Sequence, residues 1–553
     1  MSKRYLLFVL LLVALAFSAI YVWHFEPYTL VKLVYYAINS LGRMLIAFVL
    51  SIVFAVSFGY YAASQKWGEK ILIPLFDLLQ SIPTLGLFPV VILLFITLFN
   101  GSRFGVELAA IFLIWMCMVW NLIFAVYEAI KSIPTDVKHA VESTGLKGWA
   151  KYRSLYLPST VPALVYNSVL SWGNGWYFLL ASEIISLGNS TYRLPGLGAF
   201  FVDSAANGDY VSLFLSMAVL GVIIFLMNSL IWKPISVWAT RFKYESYSET
   251  AEYTLIDRLC RDFSIFRKFI KHLSIFINWA FIKIDALGCK TYTYVYRKFG
   301  DVKIFSKSMR VMVILAAGAL SIAFIYILLR SLIILPKGAL EIPFAIAITF
   351  IRLFAAFAIS CIWTVPVAIY LASNKKAEHI LLPLFELTAS LPATAFFPLV
   401  VAFVVSTTSS FEPAAIILLV TGMQWYLFFN VYGGAKSIPS DLKQAAKSFG
   451  LKGKLYYTKL VLPAILPSFV TGAITAIGGG WNAVVVAEFI SFGSNTYKVN
   501  GIGSIIMQSL QKTGDIHLLV LALTAMVITI FVLNRLVWDR LYNYVTTKFR
   551  IDY

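Results

Sequence analysis

Charged side chains are scarce in this sequence. Lysine, arginine, aspartate and glutamate make up 13% of the 553 residues, whereas soluble domains average about a quarter. The composition therefore excludes an ordinary soluble domain. Hydrophobic residues (60%) form long runs that could cross about 30 Å of hydrocarbon as helices, such as 5–23, 41–63, 71–99 and 311–335. The alternating ten-residue strands of a barrel are absent, so we predict an all-α polytopic membrane protein.

Residues that carry chemistry are also few. The four cysteines and five histidines are scattered, with no spacing typical of a disulfide framework or a metal site. No serine, histidine and aspartate assemble into a catalytic triad, and the Gly-x-x-x-x-Gly-Lys-Ser/Thr pattern is missing. This chain therefore cannot hold ATP phosphates in a P-loop. We expect no catalysis, no metal and no other cofactor on it.

The net charge of +19 suggests nucleic-acid binding, but its distribution argues against that function. Lysine and arginine collect between the apolar runs, at 2–4, 66–70, 131–153, 233–310, 375–376, 436–459 and 548–550. If these segments share one side, the positive-inside rule makes that side the cytoplasm. We therefore expect a multi-pass protein of the plasma membrane with both termini in the cytoplasm. Its surroundings are lipid, and no nucleic acid is a partner.

One polar segment occurs twice. The first copy runs from Ser132-Ile-Pro-Thr-Asp through Gly145-Leu-Lys-Gly to Leu157-Pro158. The second runs from Ser437-Ile-Pro-Ser-Asp through Gly450-Leu-Lys-Gly to Leu462-Pro463, 305 residues further along. Two further blocks recur at steps of 309 and 305, upstream and downstream of this segment. The chain is therefore an internal duplication.

The duplication predicts two halves, 1–232 and 309–553, with six spans each. The predicted spans are about 5–24, 40–63, 71–98, 107–130, 161–187 and 211–232, then 309–334, 343–373, 379–406, 413–433, 466–490 and 516–540. Because six is even, both halves insert in the same orientation and form parallel repeats. The residues between them, 233–308, are predicted to be a cytoplasmic amphipathic tether, with a regulatory element as the alternative. We interpret the first apolar run as an uncleaved span rather than a signal peptide.

Each copy of the repeated segment has the signals of a short, capped helix. Proline suits the first turn, where its missing N–H costs nothing, and an aspartate follows near the positive end of the helix dipole. Glycine then fits the left-handed position that ends a helix. The residues in these three roles are Pro134, Asp136 and Gly145 in the first copy and Pro439, Asp441 and Gly450 in the second.

This pattern resembles the EAA loop of type I ABC-importer permeases, in which Glu-Ala-Ala, three residues and Gly are followed by Leu-Pro. Ala140 and Ala445 match the family, whereas His139 and Gln444 stand where the family has glutamate. In the family this loop is the coupling helix that docks on an ATPase. The resemblance implies that two ABC ATPase subunits, which carry ATP and Mg, bind around 134–148 and 439–453.

Other segments are similar to the nitrate/sulfonate/taurine/bicarbonate group of these permeases. They are Ser81–Pro89 and Ser390–Pro398, and Glu183 and Glu488, each followed by Gly-Leu-Gly or Gly-Ile-Gly. The resemblance implies a fused subunit that replaces a permease dimer, with an extracytoplasmic solute-binding protein as a further partner. Its solute is a small anion or organic molecule of the types named, and the sequence does not choose among them. The alternatives are an ATP-independent secondary transporter with two six-helix halves and a membrane-embedded enzyme or scaffold.

Several polar or helix-breaking residues inside the spans are candidates for the solute path. Paired prolines free backbone carbonyls, and irregular backbone survives in a bilayer only where protein or water satisfies it. The candidates are Pro83, Thr84, Pro89, Pro392, Thr394 and Pro398, together with Glu183 and Glu488. For the two glutamates a salt bridge or a gate contact is expected in preference to solute binding. We expect Arg43 and Arg352 to snorkel at the outer interface, with attraction of an anionic substrate as the alternative.

Overall fold

The computed structural model describes residues 27–81, 83–146, 148–187, 190–242, 322–408, 410–492, 495–509 and 514–548, with the single residues 283, 311 and 318. The span predicted at 5–24, most of the predicted tether and the start of the span predicted at 309–334 lie outside these residues. The described chain is almost entirely helical, as the composition predicts.

Within the described residues, the first half begins with the long helix α1, and its other membrane helices follow in the predicted order. The elements are α1 (Pro27–Ser64), α2 (Lys66–Ser81), α3 (Thr84–Leu98), α4 (Arg103–Lys131), α5 (Thr135–Ser143), α6 (Gly148–Lys151), α7 (Leu157–Ser182), β1 (Ile184–Leu187), β2 (Ser190–Arg193), α8 (Leu197–Ala206), α9 (Tyr210–Met227) and α10 (Lys233–Ala239).

The second half repeats this order element by element. After α11 (Ile322–Ile334) come α12 (Ile342–Ser373), α13 (Lys375–Ser390), α14 (Ala393–Thr408), α15 (Glu412–Lys436), α16 (Ser440–Ser448), α17 (Gly453–Tyr456), α18 (Leu462–Glu488), β3 (Phe489–Phe492), β4 (Asn495–Lys498), α19 (Ile502–Gln508), α20 (Ile516–Leu533) and α21 (Asp539–Lys548). The duplication read from the sequence is therefore also a duplication of structure.

The spans predicted at 71–98 and 379–406 are each broken into two helices. The axes of α13 and α14 differ by 83° at the break. A proline explains the position, because the residue before proline is disfavoured in the helical conformation. Leu391, which precedes Pro392, has an extended backbone with ψ 130°. Each of these two predicted spans is therefore a pair of helices that meet at a proline, Pro83 or Pro392.

Two antiparallel hairpins were not predicted. Strand β1 pairs with β2 in the register Ile184 to Arg193, and β3 pairs with β4 in the register Phe489 to Lys498. The spans predicted to reach 187 and 490 therefore end at Ser182 and Glu488. Each hairpin connects a long helix to a short apolar one, α8 or α19.

A wide helical turn introduces each long central helix. The segment Tyr152–Tyr156, directly before α7, is a π-helix, and the corresponding segment before α18 is Tyr457–Val461. The Leu157 N–H bonds to the Tyr152 carbonyl, five residues back. Pro158 and Pro463 follow directly and have no N–H to donate. The backbone hydrogen bonds of the helix therefore change to the wider π pattern at the point where a proline interrupts them.

Seven described helices are long and apolar enough to cross a membrane, and eight if the bent pair α13–α14 counts as one span. The total of twelve spans stays a prediction. Within each half, three long helices form a layer around a middle helix: α4 packs on both α1 and α7, and α15 packs on both α12 and α18. Between halves, α3 packs on α18 and α19, and α14 packs on α7 and α8. This reciprocal exchange joins the two halves through one apolar core that contains Phe88, Phe178, Phe397 and Trp481.

Candidate functional sites: two exposed loop helices and the contact between the halves

The repeated segments form two short helices with the predicted ends. Helix α5 begins directly after Pro134, which occupies the N-cap position, one residue before the predicted first turn. Asp136 and Asp441 lie in the first turns of α5 and α16, as predicted. Gly145 and Gly450 have φ of +73° and +69°, which confirms the left-handed ends. A Cβ at either glycine would meet no atom within 4 Å, so the backbone conformation alone requires glycine there.

The two loop helices project from the bundle with their polar residues uncovered. No residue of α5 is buried. Ile133 and Ile438, just before the helices, are buried and anchor them to the bundle. The predicted coupling residues are exposed, except Pro439, which is partly buried: Pro134, Asp136, His139, Ala140, Gly145, Asp441, Gln444, Ala445 and Gly450. Two matched surfaces are thus accessible to a partner.

The two surfaces differ in chemistry. In the first, Glu142 accepts a hydrogen bond from Lys151 at 2.9 Å and lies 3.7 Å from the Nδ1 atom of His139. The Lys151 ammonium holds the pKa of the Glu142 carboxyl below its usual value. The second surface presents an apolar side chain, because Phe449 is 83% exposed where the first copy has Thr144.

Arg43 lies inside the first half and does not snorkel at the interface, so that expectation is wrong. Its side chain is 4% exposed. It donates to Glu107 at 2.6 and 2.9 Å, to Glu183 at 2.9 Å and to the Pro195 carbonyl at 3.0 Å. Three hydrogen bonds to carboxylate oxygens compensate the guanidinium for the water that it loses on burial. A position at the lipid surface would not provide these carboxylates.

The second half contains the same cluster. Arg352 donates to Glu412 at 3.0 and 2.8 Å, to Glu488, and to the Asn500 carbonyl at 3.0 Å. The expectation that it snorkels is wrong for the same reason. The glutamates Glu107 and Glu412 were not noticed in the sequence, although they stand at the same step of 305 as the rest of the repeat.

Glu183 and Glu488 are the buried members of these clusters, and the salt bridge expected for each is present. Neither has exposed surface, so in this conformation their carboxylates contact arginine rather than open space. The Gly198 N–H donates to Glu183 at 2.6 Å, and the Gly503 N–H donates to Glu488 at 2.8 Å.

The Gly-x-Gly turns that follow the hairpins fit around these carboxylates. A Cβ at Gly196 would overlap the Glu183 carboxylate, and a Cβ at Gly501 would overlap that of Glu488. Each cluster therefore connects a long helix to the turn before a short one. In the first half α1 is connected to the turn before α8, and in the second half α12 is connected to the turn before α19. This packing explains why the spacing between glutamate and glycine is the same in the two copies.

The candidate path residues at the helix breaks lie between the halves. The Thr84 N–H donates to Asn482 Oδ1 of the second half at 2.8 Å. The Thr394 hydroxyl donates to the Tyr177 carbonyl of the first half at 3.2 Å. Tyr177 and Asn482 are themselves counterparts at the step of 305, which the sequence reading missed.

The prolines at the breaks are placed beside these contacts. Pro83 and Pro392 are buried directly before α3 and α14, and Pro398 is buried inside α14. Pro89 lies inside α3, and its side chain is outside the described residues. Within the part of the chain that the structure describes, no group of three or more histidine, cysteine, aspartate or glutamate side chains is placed to hold a metal ion.

Together, a duplicated bundle of apolar helices, an exposed loop helix in each repeat and a polar contact between the repeats define a multi-pass membrane transport component. The chain belongs to the family described as the inner membrane component of binding-protein-dependent transport systems. That family matches residues 51–231 and 364–551, which is more than half of the chain and includes both repeats.

Curated relatives are ABC-type permeases. The chain is 31% identical over 177 residues to the bicarbonate transport system permease protein CmpB of Synechococcus elongatus, covering 32% of this chain and 60% of the relative. It is 26% identical over 139 residues to the nitrate import permease protein NrtB of Synechocystis, covering 25% and 49%. Identity to the putative aliphatic sulfonates transport permease protein SsuC of Escherichia coli is 29% over 136 residues, covering 25% and 48%. The matches thus span about half to three fifths of these relatives' lengths.

Proposed function

We propose that this chain is the fused transmembrane subunit of an ATP-driven importer for a small anion or organic solute of the nitrate, sulfonate, taurine or bicarbonate type. Its residues 1–232 and 309–553 act as the two permease halves and replace a permease dimer. The relatives for bicarbonate, nitrate and sulfonates support this solute class. The termini and the loop helices lie on the cytoplasmic side in this proposal, and 233–308 tethers the halves.

The observation that carries the proposal is the pair of matched, uncovered loop helices. Each is short, rigidly ended by a left-handed glycine and anchored by one buried isoleucine. Such a helix can transmit a push to the long helix behind it, because only the short helix α6 or α17 and one π turn separate them. We assign α5 and α16 to two separate ABC ATPase subunits, which supply ATP and Mg.

The mechanism follows from this placement. When the ATPases close on ATP, α5 and α16 are drawn together, and α7 and α18 move with them. The contacts of Thr84 with Asn482 and of Thr394 with Tyr177 then separate, and the path opens to the outside, where a binding protein releases its solute. Hydrolysis resets the bundle. Pro83, Pro89, Pro392 and Pro398 give the broken spans the bend that places these contacts between the halves.

Co-purification from the native membrane tests the proposal. A tagged chain is expected to retain ATPase subunits of the P-loop class and to support ATP-dependent uptake of one of the proposed solutes. Retention of no ATPase, together with uptake driven by an ion gradient, would instead establish the secondary transporter. Uptake of nitrate, bicarbonate and alkanesulfonates in the same vesicles identifies the solute.

A further inference from the structure

A basic cleft lies at the end of the first half that is opposite its loop helix. It has a volume of about 580 Å³, and it is lined by the starts of α1 and α4, the turn after β2 and helix α8. Helix α4 runs from Arg103 at the cleft to Lys131, just before the loop helix α5, which is a length of about 43 Å. The cleft is therefore at the far membrane surface and has the size of a ligand site.

The cleft carries an excess of positive charge. Arg193 donates to Asp203 at 2.6 Å, and this pair is neutral as a unit. The Lys32 ammonium lies 5.5 Å from the centre of the Tyr36 ring. Neither Lys32 nor Arg103 has an ion pair or a hydrogen bond from its side chain to another described residue. Two cations in the cleft are thus left without a counter-charge.

The next carboxylate along α4 does not supply that counter-charge. Glu107 lies one turn beyond Arg103, and both of its oxygens accept hydrogen bonds from the buried Arg43. Arg43 also donates to the carbonyl of Pro195, which lines the cleft. The ion cluster beneath the cleft is therefore satisfied by its own members, and the charge of Lys32 and Arg103 faces outward.

An apolar face of α1 leads from the cleft toward the middle of the membrane. Its residues follow each other by three or four positions, within about 80° on a helix, and they are Val31, Tyr35, Ile38, Gly42, Leu45 and Val49. Gly42 leaves a notch in this face, since a Cβ built there would meet no atom within 4 Å. The notch is about 16 Å from Val31, which is close to half of the roughly 30 Å hydrocarbon core.

The second half has the same backbone here but different side chains. The counterparts of Lys32 and Arg103 are Glu341 (341 − 32 = 309) and Thr408 (408 − 103 = 305), so both cations are absent. Ile351, which is exposed, stands at the position of Gly42 and fills the notch. The neutral pair is kept, because Lys498 donates to Gln508 at 3.2 Å where the first half has Arg193 and Asp203. The charge and the notch are therefore features of the first half only.

We propose that the first half binds one anionic phospholipid in this cleft. Its phosphate lies between Lys32 and Arg103, and one acyl chain follows α1 to the notch at Gly42. Charge complementarity selects an anionic headgroup. The continuity of the cleft with the apolar face selects a lipid over a soluble anion. In the proposed orientation this lipid belongs to the outer leaflet, and it links the starts of α1 and α4 in one half of the bundle.

Lipid titration of the full chain tests the site. The chain is purified in a neutral detergent and titrated with dioleoylphosphatidylglycerol, and native mass spectrometry gives the number of lipids retained and their Kd. The test variant is Lys32→Gln with Arg103→Gln. The matched control is Lys337→Gln with Lys498→Gln, which removes two exposed cations from the same end of the second half.

Wild type and control are expected to retain one phosphatidylglycerol with the same Kd. Each cation near an anionic headgroup contributes about fivefold to affinity, so the test variant is expected to bind it about 25-fold more weakly. Equal Kd in wild type and test variant would overturn the proposal. Lipid retention is measured without ATP, ATPase or uptake, so its outcome is separate from that of the proposed function.

A reciprocal variant builds the site into the second half. Glu341→Lys, Thr408→Arg and Ile351→Gly together supply the two cations and the notch at positions that are all exposed. This chain is expected to retain two phosphatidylglycerol molecules instead of one. Retention of a single lipid would refute the assignment of the site to these residues.

Competing ligands distinguish the other occupants. Dioleoylphosphatidylcholine and millimolar inorganic phosphate or glycerol 3-phosphate are expected not to displace the bound lipid. Displacement by phosphatidylcholine at equal concentration would contradict recognition of charge, and displacement by phosphate or glycerol 3-phosphate would assign the cleft to a free anion. If the test variant keeps its lipid but no longer associates with a solute-binding protein, the cleft is a protein contact and the lipid proposal fails.

Discussion

Gly145 and Gly450 hold a backbone conformation that other residues adopt only with strain. Both have positive φ, and both end a helix with no neighbouring atom near the position of a Cβ. A side chain there would cost about 1–2 kcal/mol of backbone strain without any clash. The angle of the loop helix to the long helix behind it therefore depends on these two residues.

The double variant Gly145→Val and Gly450→Val is expected to lose ATPase association and uptake while its membrane level is maintained. Valine resists positive φ, so the turn changes but the bundle does not. Gly208→Val is the matched control, because Gly208 also has positive φ (+68°) and open space but lies outside the loop helices. ATPase retained on the purified chain is the measurement. Normal retention in the double variant would remove the coupling role.

Phe449 is a large apolar side chain in the second loop and is 83% exposed. An exposed aromatic residue of this kind commonly anchors a partner protein. The first loop has Thr144 at this position and a Glu142–Lys151 ion pair nearby. We therefore expect the two ATPase subunits to be held unequally, with the second surface holding its subunit more tightly.

Phe449→Thr is expected to weaken binding of one ATPase subunit about tenfold or more, which corresponds to an anchor of about 1.4 kcal/mol or above. Thr144→Phe is expected to cause no loss. Leu340→Thr serves as the control, since Leu340 is 84% exposed and lies outside the loops. The measurement is the dissociation rate of the ATPase from the immobilised chain, for the wild type and for each of the three variants. Equal rates for wild type and Phe449→Thr would contradict unequal docking.

At the scale of elements, buried ion clusters join segments that are far apart along the chain. Arg352 in α12 contacts Glu412 in α15 and Glu488 at the end of α18, and the Thr349 hydroxyl donates to the same Glu488 at 2.7 Å. Both halves contain this arrangement. It fixes the hairpin and the short helix α19 relative to the long helices.

Arg352→Met is expected to destabilise the protein by about 3–5 kcal/mol, because it leaves the Glu488 carboxylate buried and unpaired. The double variant with Glu488→Met should recover most of this loss, since no buried charge then remains without a partner. Arg535→Met is the control and should cost less than about 1 kcal/mol, because the Arg535–Asp539 pair is exposed. Thermal unfolding in detergent measures all three. A single variant as stable as the double would show that the cluster is not structural.

At the scale of the whole molecule, the two halves hold each other through reciprocal contacts. Helix α3 packs on α18, α14 packs on α7, and the apolar core is continuous across the interface. Covalent linkage through 233–308 raises the effective concentration of one half near the other. We propose that this segment acts as a tether.

Cutting the chain by an inserted protease site near Ser248 is expected to leave the halves associated in detergent, with ATPase association intact. Pull-down of the second half by a tag on the first, before and after cleavage, is the measurement. A cleaved sample in which the halves separate would show that 233–308 contributes to assembly. A site inserted in the loop after Gly208 is a control for damage caused by insertion.

The sequence by itself determined the class, the duplication and the shape of the loop helices. Long apolar runs, with positively charged segments between them, identify a multi-pass membrane protein. Comparison of the repeated sequence blocks identifies the two halves. Asp136 and Gly145 act on the helix beside which they stand, so their positions at its two ends could be predicted locally, and the structure confirmed those positions. The prolines Pro83 and Pro392 mark the positions of the helix breaks in the sequence. They do not predict the angle between the two helices at each break.

Only the tertiary structure decided which distant residues meet. Arg43 was expected at the interface, and it is buried because Glu107 and Glu183 arrive from two other elements. The contacts of Thr84 with Asn482 and of Thr394 with Tyr177 likewise join opposite halves. No local pattern encodes such pairs, since they depend on how helices pack across hundreds of residues.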